Sequence, residues 1–434
     1  MQLLLFSLMF LIIYAPKVAG RIDMLSITCI LVIFFSLCTN SYRYLYGVTL
    51  KKISIYSLFF LFLAAYTGLL LYMQGFDDLY QPMRFLRACV NGLGVVSLVA
   101  LYCRFIRVEP LSTIIFHTWL CIILHAFIIT LMFLVPTFNV FIVDHVVVVN
   151  AESDNYQARI DAMRISGLTS SWDATSAIHA IGILLIPIVT SIKNKLRSRM
   201  LIYASIPFSL LAMALSGVTG FVVLALVGAY LLISGSGIKK KLNIFIGFIL
   251  IGLLLIGAVS LLSNYAPQGV QDSSLFRTAF MIIGSNDVEY TLAHRAPTAA
   301  ETFSGILNEM YFIPDDPIDF LLGRGGSGRS ESSYIIEADP GPTLNLHNIG
   351  FLASFMLYSL VLFSVLHAFS IRKRNRIISN FVLIIVVTIL IVDSKVQYLL
   401  ARNSLSLMMI ALGVFWQYCG YVRLNSKSRI ITDG

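Results

Sequence analysis

A histidine and an asparagine precede a long uncharged segment near the end of the chain. His347 and Asn348 end the stretch LNLHN, and residues 349–366 carry no charged side chain. An imidazole with a pKa near neutrality is suited to removing a proton from a hydroxyl group. The alternative is an interfacial polar residue that satisfies nearby backbone groups. On residue type alone, His347 is a candidate for either role.

Nine arginines are the second group of residues that could take part in chemistry. The orientation predicted below places them on the same side of the membrane as His347, where arginine supplies nearly all the basic residues. A guanidinium group binds phosphate oxygens through two parallel hydrogen bonds and stays charged at any working pH. These arginines therefore fit a phosphorylated lipid, although ion pairs with nearby acids and contacts with lipid headgroups remain the alternative. They are Arg84, Arg87, Arg159, Arg164, Arg277, Arg295, Arg324, Arg329 and Arg402.

The elements that must position these residues are apolar helices. The chain of 434 residues is 58% hydrophobic and 12% charged, whereas soluble domains carry about 25% charged residues. Apolar runs long enough to cross a hydrocarbon core of about 30 Å recur throughout, which predicts a single integral membrane domain over residues 1–434, all-α and polytopic, with about 12 transmembrane helices. The spans are expected near residues 2–15, 22–38, 53–73, 85–103, 111–135, 174–191, 200–215, 218–234, 242–262, 349–370, 377–392 and 402–420.

The distribution of Lys and Arg predicts the orientation of these spans. If they alternate, one side receives 19 of the 31 Lys and Arg residues but only Glu109 and Asp433 of the 22 acids. The positive-inside rule assigns that side, with both termini, to the cytoplasm. Two long segments, residues 136–173 and 263–348, then lie on the outer side. The cytoplasmic loops are too short for a nucleotide-binding domain and no GxxxxGK[ST] motif occurs, which argues against an ATP-driven pump.

The larger outer loop contains a glycine-rich turn and two adjacent acids. In GRGGSGR, Gly323 and Gly325 are expected to let the backbone approach a ligand, although as a phosphate-binding signal the turn is weak. Asp315 and Asp316 could bind a divalent ion, but adjacent acids on a loop are usually solvated, and we predict no metal site. Four histidines in or near spans are expected to be hydrogen-bonded core residues: His117, His125, His179 and His367.

Three segments follow one another in an informative order. RISGLTSSWDATSAIHAIG carries Arg164 and Gly167 ahead of a span, and HRAPTAAETFSGIL carries Arg295 ahead of the glycine-rich turn. LNLHNIGFLASF then carries His347 ahead of the next span. This order resembles the O-antigen polymerase and O-antigen ligase superfamily of bacterial envelope glycosyltransferases. The turn in LSGVTGFVV is similar to a helical hairpin turn of that family, except that Gly217 stands where the family usually has arginine.

The resemblance implies a GT-C-like fold in the bacterial inner (cytoplasmic) membrane, with a periplasmic active site in residues 263–348. It implies that Arg164 and Arg295 hold the diphosphate of an undecaprenyl-diphosphate-linked oligosaccharide, which is both donor and acceptor, and that His347 acts on the acceptor hydroxyl. By position and chemistry we add Arg324 to the diphosphate site. The residues given supporting roles are Asn348, Gly167, Gly323 and Gly325.

The implied reaction is an inverting, metal-independent glycosyl transfer that joins oligosaccharide repeat units and needs no cofactor. Two fixed arginines would stabilise the departing diphosphate in the transition state. Membrane lipids are further partners, a chain-length regulator protein is a candidate partner, and nothing points to nucleic acid.

Two other functions compete with a polymerase. A ligase that passes finished polymer to the lipid A core would use the same donor and a similar site, and only the general resemblance favours the polymerase. A transporter or flippase of lipid-linked oligosaccharide would show internal repeats and charged groups within its spans. The sequence has no evident repeat, and the centres of its spans are almost free of charge, which favours an enzyme at the outer face.

Overall fold

The computed structural model describes residues 1–14, 16–18, 22–75, 79–147, 165–169, 172–193, 195–217, 219–234, 311–326 and 340–432. Within these ranges the regular secondary structure is helical apart from a short antiparallel pair, β1 (Lys17–Val18) with β2 (Ile22–Asp23). A 3₁₀ turn (Ser41–Tyr44) and a π-helical turn (Val143–Val147) interrupt the α-helices. The α-helices are α1 (Gln2–Tyr14), α2 (Met24–Cys38), α3 (Gly47–Gln74), α4 (Tyr80–Phe105), α5 (Pro110–Leu134), α6 (Pro136–Ile142), α7 (Trp172–Leu184), α8 (Ile186–Ile192), α9 (Leu196–Ala204), α10 (Ile206–Ser216), α11 (Thr219–Ser234), α12 (Pro317–Leu322), α13 (Gly341–Ser370), α14 (Arg376–Asp393) and α15 (Arg402–Thr432).

Seven of the described helices are long and apolar enough to cross a membrane. They are α3, α4, α5, α9 and α10 taken together, α13, α14 and α15. Helices α7 and α8, which meet at a bend of 42°, make an eighth if they form one span, and three shorter apolar helices occur in α1, α2 and α11. The all-helical prediction is therefore confirmed over the described ranges, and the helices are consistent with a polytopic membrane protein. The span predicted at 242–262 lies outside the described residues.

The chain divides into two compact units. The first comprises Met1–Cys121, Pro187–Asn194 and Glu309–Gly434, and the second comprises Ile122–Ile186 and Lys195–Asn308. His347 and the glycine-rich turn belong to the first unit.

Helix α4 is enclosed in the first unit because α2, α3 and α15 all pack against it. Polar side chains join these helices inside the apolar interior: the Asn91 amide nitrogen donates to Ser406 Oγ at 3.1 Å, and Cys29 Sγ donates to Asn91 Oδ1 at 3.7 Å. A buried amide without partners would cost about 1–3 kcal/mol. The paired Asn91 therefore favours one register of α2 and α15 on α4.

In the second unit, α7 holds the connection between α10 and α11. Ser176 Oγ donates to the Gly217 carbonyl at 2.6 Å and accepts from the Gly220 N–H at 2.9 Å. A Cβ on Gly220 would lie 2.4 Å from the Ser176 carbonyl oxygen, so only glycine allows this approach. The turn predicted in LSGVTGFVV is present, since α10 ends at Ser216 and α11 begins at Thr219.

Three of the four histidines expected in the core are buried and hydrogen-bonded, as predicted. His117 Nδ1 lies 2.7 Å from the Tyr102 hydroxyl, and His125 Nδ1 lies 3.2 Å from His179 Nε2. The prediction is wrong for His367, which is exposed in the last turn of α13 although one side of its ring packs against Phe415.

Gly94 tests the packing of α2 on α4. A Cβ at this position would lie 2.5 Å from the Cβ of Cys29, whereas a Cβ at Gly68 in α3 meets nothing closer than 4.0 Å. We expect Gly94→Ala to lower the free energy of unfolding by about 1–3 kcal/mol through overpacking. Gly68→Ala should be neutral or stabilising, because alanine favours helix. Thermal unfolding of the detergent-solubilised protein measures both, and equal midpoints for the two variants would contradict the packing.

Candidate functional site

Helix α13 is broken at Gly350. This residue has φ 72° and ψ 175°, a left-handed backbone conformation that glycine adopts without steric cost. The break separates a short segment, residues 341–349, from a longer one, residues 351–370. The sequence placed the span from 349 onward, so the helical segment that carries His347 was not predicted.

The break leaves backbone carbonyls that the glycine-rich turn satisfies. Carbonyls in the last turn of a helix have no intrahelical donor, and in a membrane each unsatisfied backbone group costs several kcal/mol. The Arg324 N–H donates to the His347 carbonyl and the Gly325 N–H donates to the Asn348 carbonyl, both at 2.8 Å. The turn thus caps the short helical segment at the two residues singled out in the sequence.

Glycine residues make this approach possible. A Cβ on Gly350 would lie 2.3 Å from the Leu321 carbonyl oxygen, and a Cβ on Gly323 would lie 2.4 Å from the Gly350 nitrogen. Gly325 lies close to α3, with a Cβ position 2.9 Å from the Thr67 carbonyl oxygen. Gly323 and Gly325, expected to admit a ligand, have positive φ and bring their backbone against α13 and α3.

Phe312 holds the His347 ring in place. His347 is 8% exposed, and its ring meets the Phe312 ring edge to face with centroids 5.0 Å apart. The ring also hydrogen-bonds to the backbone of Phe312, and Nε2 has no hydrogen-bond partner among the described residues. The bond to Phe312 therefore uses Nδ1, which donates to the carbonyl. In this tautomer Nε2 carries a lone pair that can accept a proton.

An ion pair lies beside this histidine. Arg324 Nε donates to Asp319 Oδ2 at 2.7 Å, with side chains 39% and 17% exposed. Both charges are close enough to act on His347. Asp316, considered above as a metal ligand, accepts from the Ile318 N–H at 2.9 Å and caps α12.

A buried carboxylate near this segment was missed in the sequence. Asp393 is fully buried at the end of α14, where Oδ1 accepts from the Tyr398 and Leu399 N–H groups at 2.6 Å each. Its Oδ2 accepts from the Tyr358 hydroxyl at 2.6 Å, which in turn accepts from Asn345 Nδ2 at 2.9 Å. The available signal was a single acid ending the apolar run of α14, since an ionisable group within a span is by default a functional candidate.

Tyr311, next to Phe312 in sequence, connects the segment that contacts His347 to the end of α14. Its hydroxyl donates to the Ser394 carbonyl. Burial raises the pKa of the Tyr311 hydroxyl, and the nearby Asp393 carboxylate raises it further. The hydroxyl therefore remains protonated and able to donate at neutral pH.

Gly167 lies in the second unit, where it packs against His125. A Cβ on Gly167, which has φ 63°, would lie 2.4 Å from His125 Nε2, and the next residue, Leu168, donates its N–H to that nitrogen at 2.9 Å. Because Nε2 accepts, the proton of the neutral ring is on Nδ1, which donates to His179. The histidine pair thus anchors the segment that follows Arg164 in the sequence.

The structure brings together five of the eight predicted site residues: His347, Asn348, Gly323, Arg324 and Gly325. Gly167 belongs to the second unit. Arg164 and Arg295 lie outside the described residues, so their assignment to a diphosphate site stays a prediction. Comparison with known proteins adds no relative, because no protein-family model and no curated protein matches the chain.

Gly350→Ala tests the close approach at the helix break, with Gly75→Ala as a reference for positive φ. Both glycines have φ near 70°, but ψ is 28° at Gly75 and 175° at Gly350, and a Cβ at Gly75 meets nothing within 4 Å. We expect Gly75→Ala to cost about 1–2 kcal/mol for the left-handed conformation. Gly350→Ala should cost clearly more, because its combination of φ and ψ is essentially restricted to glycine and because the glycine-rich turn must also move away. Thermal unfolding in detergent gives the comparison. Equal costs would mean that the turn does not contact the break.

Proposed function

We propose that this chain is an O-antigen polymerase, a glycosyltransferase that joins undecaprenyl-diphosphate-linked oligosaccharide repeat units. The observation that carries the proposal is the state of His347. A nearly buried imidazole lies beside an arginine at the start of an apolar helix, and its Nε2 has no partner within the part of the chain that the structure describes. This combination suits a reaction between a hydroxyl group and a phosphorylated lipid at headgroup depth.

In the proposed reaction, His347 Nε2 takes the proton of an acceptor sugar hydroxyl as its oxygen attacks the anomeric carbon of the donor. The bond between that carbon and the diphosphate oxygen breaks, and undecaprenyl diphosphate leaves with the electron pair. Attack opposite the leaving group inverts the anomeric configuration. General-base assistance of this kind is typically worth about 10²–10⁴-fold in rate.

Arginine provides the electrostatic part of the proposal. Negative charge grows on the bridging oxygen as the bond breaks, and a fixed cation stabilises that charge without a metal. Arg324 is held by Asp319 and by its own N–H on the His347 carbonyl, which limits its freedom beside the histidine. Arg164 and Arg295 complete the diphosphate site in this proposal, on the sequence resemblance alone.

The proposal extends to architecture and location. We propose about 12 spans in a GT-C-like arrangement, in the bacterial inner membrane, with both termini cytoplasmic and residues 136–173 and 263–348 periplasmic. Support comes from the asymmetric distribution of Lys and Arg in the sequence. Membrane lipids and a chain-length regulator protein are proposed partners.

His347→Gln is the direct test of the proposed base. Glutamine retains a polar side chain of similar reach but cannot accept a proton at neutral pH, so polymer formation should fall by at least about 10²-fold. His367→Gln, an exposed position near the other end of α13, is the control and should keep wild-type activity. Purified protein is incubated with synthetic undecaprenyl-diphosphate repeat units and a chelator, and the products are resolved as a ladder.

The same assay and a chromosomal deletion separate the alternatives. A polymerase makes the ladder from repeat units alone, and its deletion leaves lipopolysaccharide bearing a single repeat. A ligase makes no ladder without a lipid A core acceptor, and its deletion leaves lipopolysaccharide with no repeat unit attached. A wild-type ladder from His347→Gln would remove the histidine from the mechanism.

A further inference from the structure

Two separate contacts connect the surroundings of His347 to the end of α14. The first runs through the short helical segment: Asn345, two residues before His347, donates to Tyr358, which donates to Asp393. The second runs through the segment that holds the ring: Tyr311, next to Phe312, donates to the carbonyl of the residue after Asp393.

The short segment also packs directly on the carboxylate. A Cβ on Gly341, its first residue, would lie 2.2 Å from Asp393 Oδ1. Asp393 is 0% exposed, and both of its oxygens are engaged, Oδ1 by the Tyr398 and Leu399 N–H groups and Oδ2 by Tyr358. A buried carboxylate fully satisfied in this way holds its neighbours in one arrangement.

The chain of hydrogen bonds has a fixed direction. The Asn345 amide nitrogen can only donate, so the Tyr358 oxygen accepts from it and its own proton goes to Asp393 Oδ2. A carboxylate is required at the end of the chain because it only accepts. The remaining oxygen of Asn345 accepts from Gln397 Nε2 at 3.3 Å, on the loop that follows α14.

We infer that Asp393 is a positioning residue that sets the orientation of the His347 imidazole through Tyr358 and Asn345. The inference rests on the proposed role of His347 as the base. Asp393 does not touch His347 and takes no part in the chemistry. It holds the helical segment that carries the ring, and the residue after it holds the segment that supports the ring.

Two variants break the chain in different ways. In Asp393→Asn, one oxygen still accepts from the backbone N–H groups, but an amide nitrogen faces Tyr358. The hydroxyl proton of Tyr358 then has no acceptor in this series of hydrogen bonds. This variant also removes a charge that interacts with Arg84. Tyr358→Phe removes only the hydroxyl and leaves the charge of Asp393. Agreement between the two variants therefore isolates the hydrogen-bond chain.

The matched control is Thr388→Val in the same helix. Thr388 is fully buried, and its hydroxyl has no hydrogen-bond partner within the described part of the chain. The variant preserves shape and removes a buried hydroxyl, without touching the chain of hydrogen bonds. It shows whether a substitution at a buried position of α14 changes the reactivity of His347 by itself.

The first measurement does not depend on activity. Diethylpyrocarbonate modification of His347 is followed by mass spectrometry and normalised to His145, which is exposed and lies in the other unit. His347 should react slowly in the wild type and in Thr388→Val, and several-fold faster in Asp393→Asn and Tyr358→Phe. Wild-type reactivity in both of these variants would overturn the inference, as would equal acceleration in Thr388→Val.

The second measurement is the kinetics of polymer formation. Misplacing a catalytic group by about 1 Å can cost about 10²-fold in rate. We therefore expect kcat to fall at least about tenfold in both Asp393→Asn and Tyr358→Phe. KM should stay within about twofold, because substrate binding is not removed. A rise in KM with unchanged kcat would overturn the positioning role. If the wild type forms no polymer, the proposed function fails, and the modification rates still decide whether Asp393 holds His347 in place.

Discussion

The site depends on one constraint: a helix that breaks at Gly350 must find donors for the carbonyls that the break exposes. Arg324 and Gly325 supply them from the backbone of the glycine-rich turn. Apolar surroundings make unsatisfied carbonyls expensive, so the turn and the short helical segment are held together. Because the bonded carbonyls belong to His347 and Asn348, the same two bonds place the Arg324 side chain beside the histidine. Backbone chemistry thus assembles the candidate site before any substrate binds.

The break at Gly350 separates a polar helical segment from an apolar one. Residues 351–370 form an apolar helix of a candidate span, whereas residues 341–349 carry Asn345, His347 and Asn348. The polar segment thus lies at one end of the candidate span, which is the depth that the proposed function requires for the phosphates of a lipid substrate. Asp393 holds this segment through Tyr358 and Asn345, and the Tyr311 hydroxyl ties the segment that carries Phe312 to the Ser394 carbonyl. These supports fix the His347 ring against Phe312, and Nε2 has no partner among the residues that the structure describes.

Much of the helical architecture could be predicted from the sequence, since apolar runs of sufficient length indicate spans directly. The break could not, because a glycine within an apolar run is ordinarily tolerated in a helix. The role of Gly323 and Gly325 was predicted in part: their backbone does approach closely, but it approaches α13 and α3. Asp393 was missed because its partners, Tyr358 and Asn345, are distant in sequence and meet only after the helices pack. Gly167 against His125 is a tertiary contact of the same kind.

Hydrogen exchange of the Arg324 and Gly325 amides, resolved to single residues in the protein in lipid nanodiscs, tests the assembly of the site most directly. If these amides cap the broken helix, they should exchange as slowly as amides within the buried turns of α13, because opening them exposes the His347 and Asn348 carbonyls. Exchange at the rate of an unstructured glycine-rich loop would contradict the account, since the turn would then leave the break uncapped and Arg324 would have no fixed place beside His347.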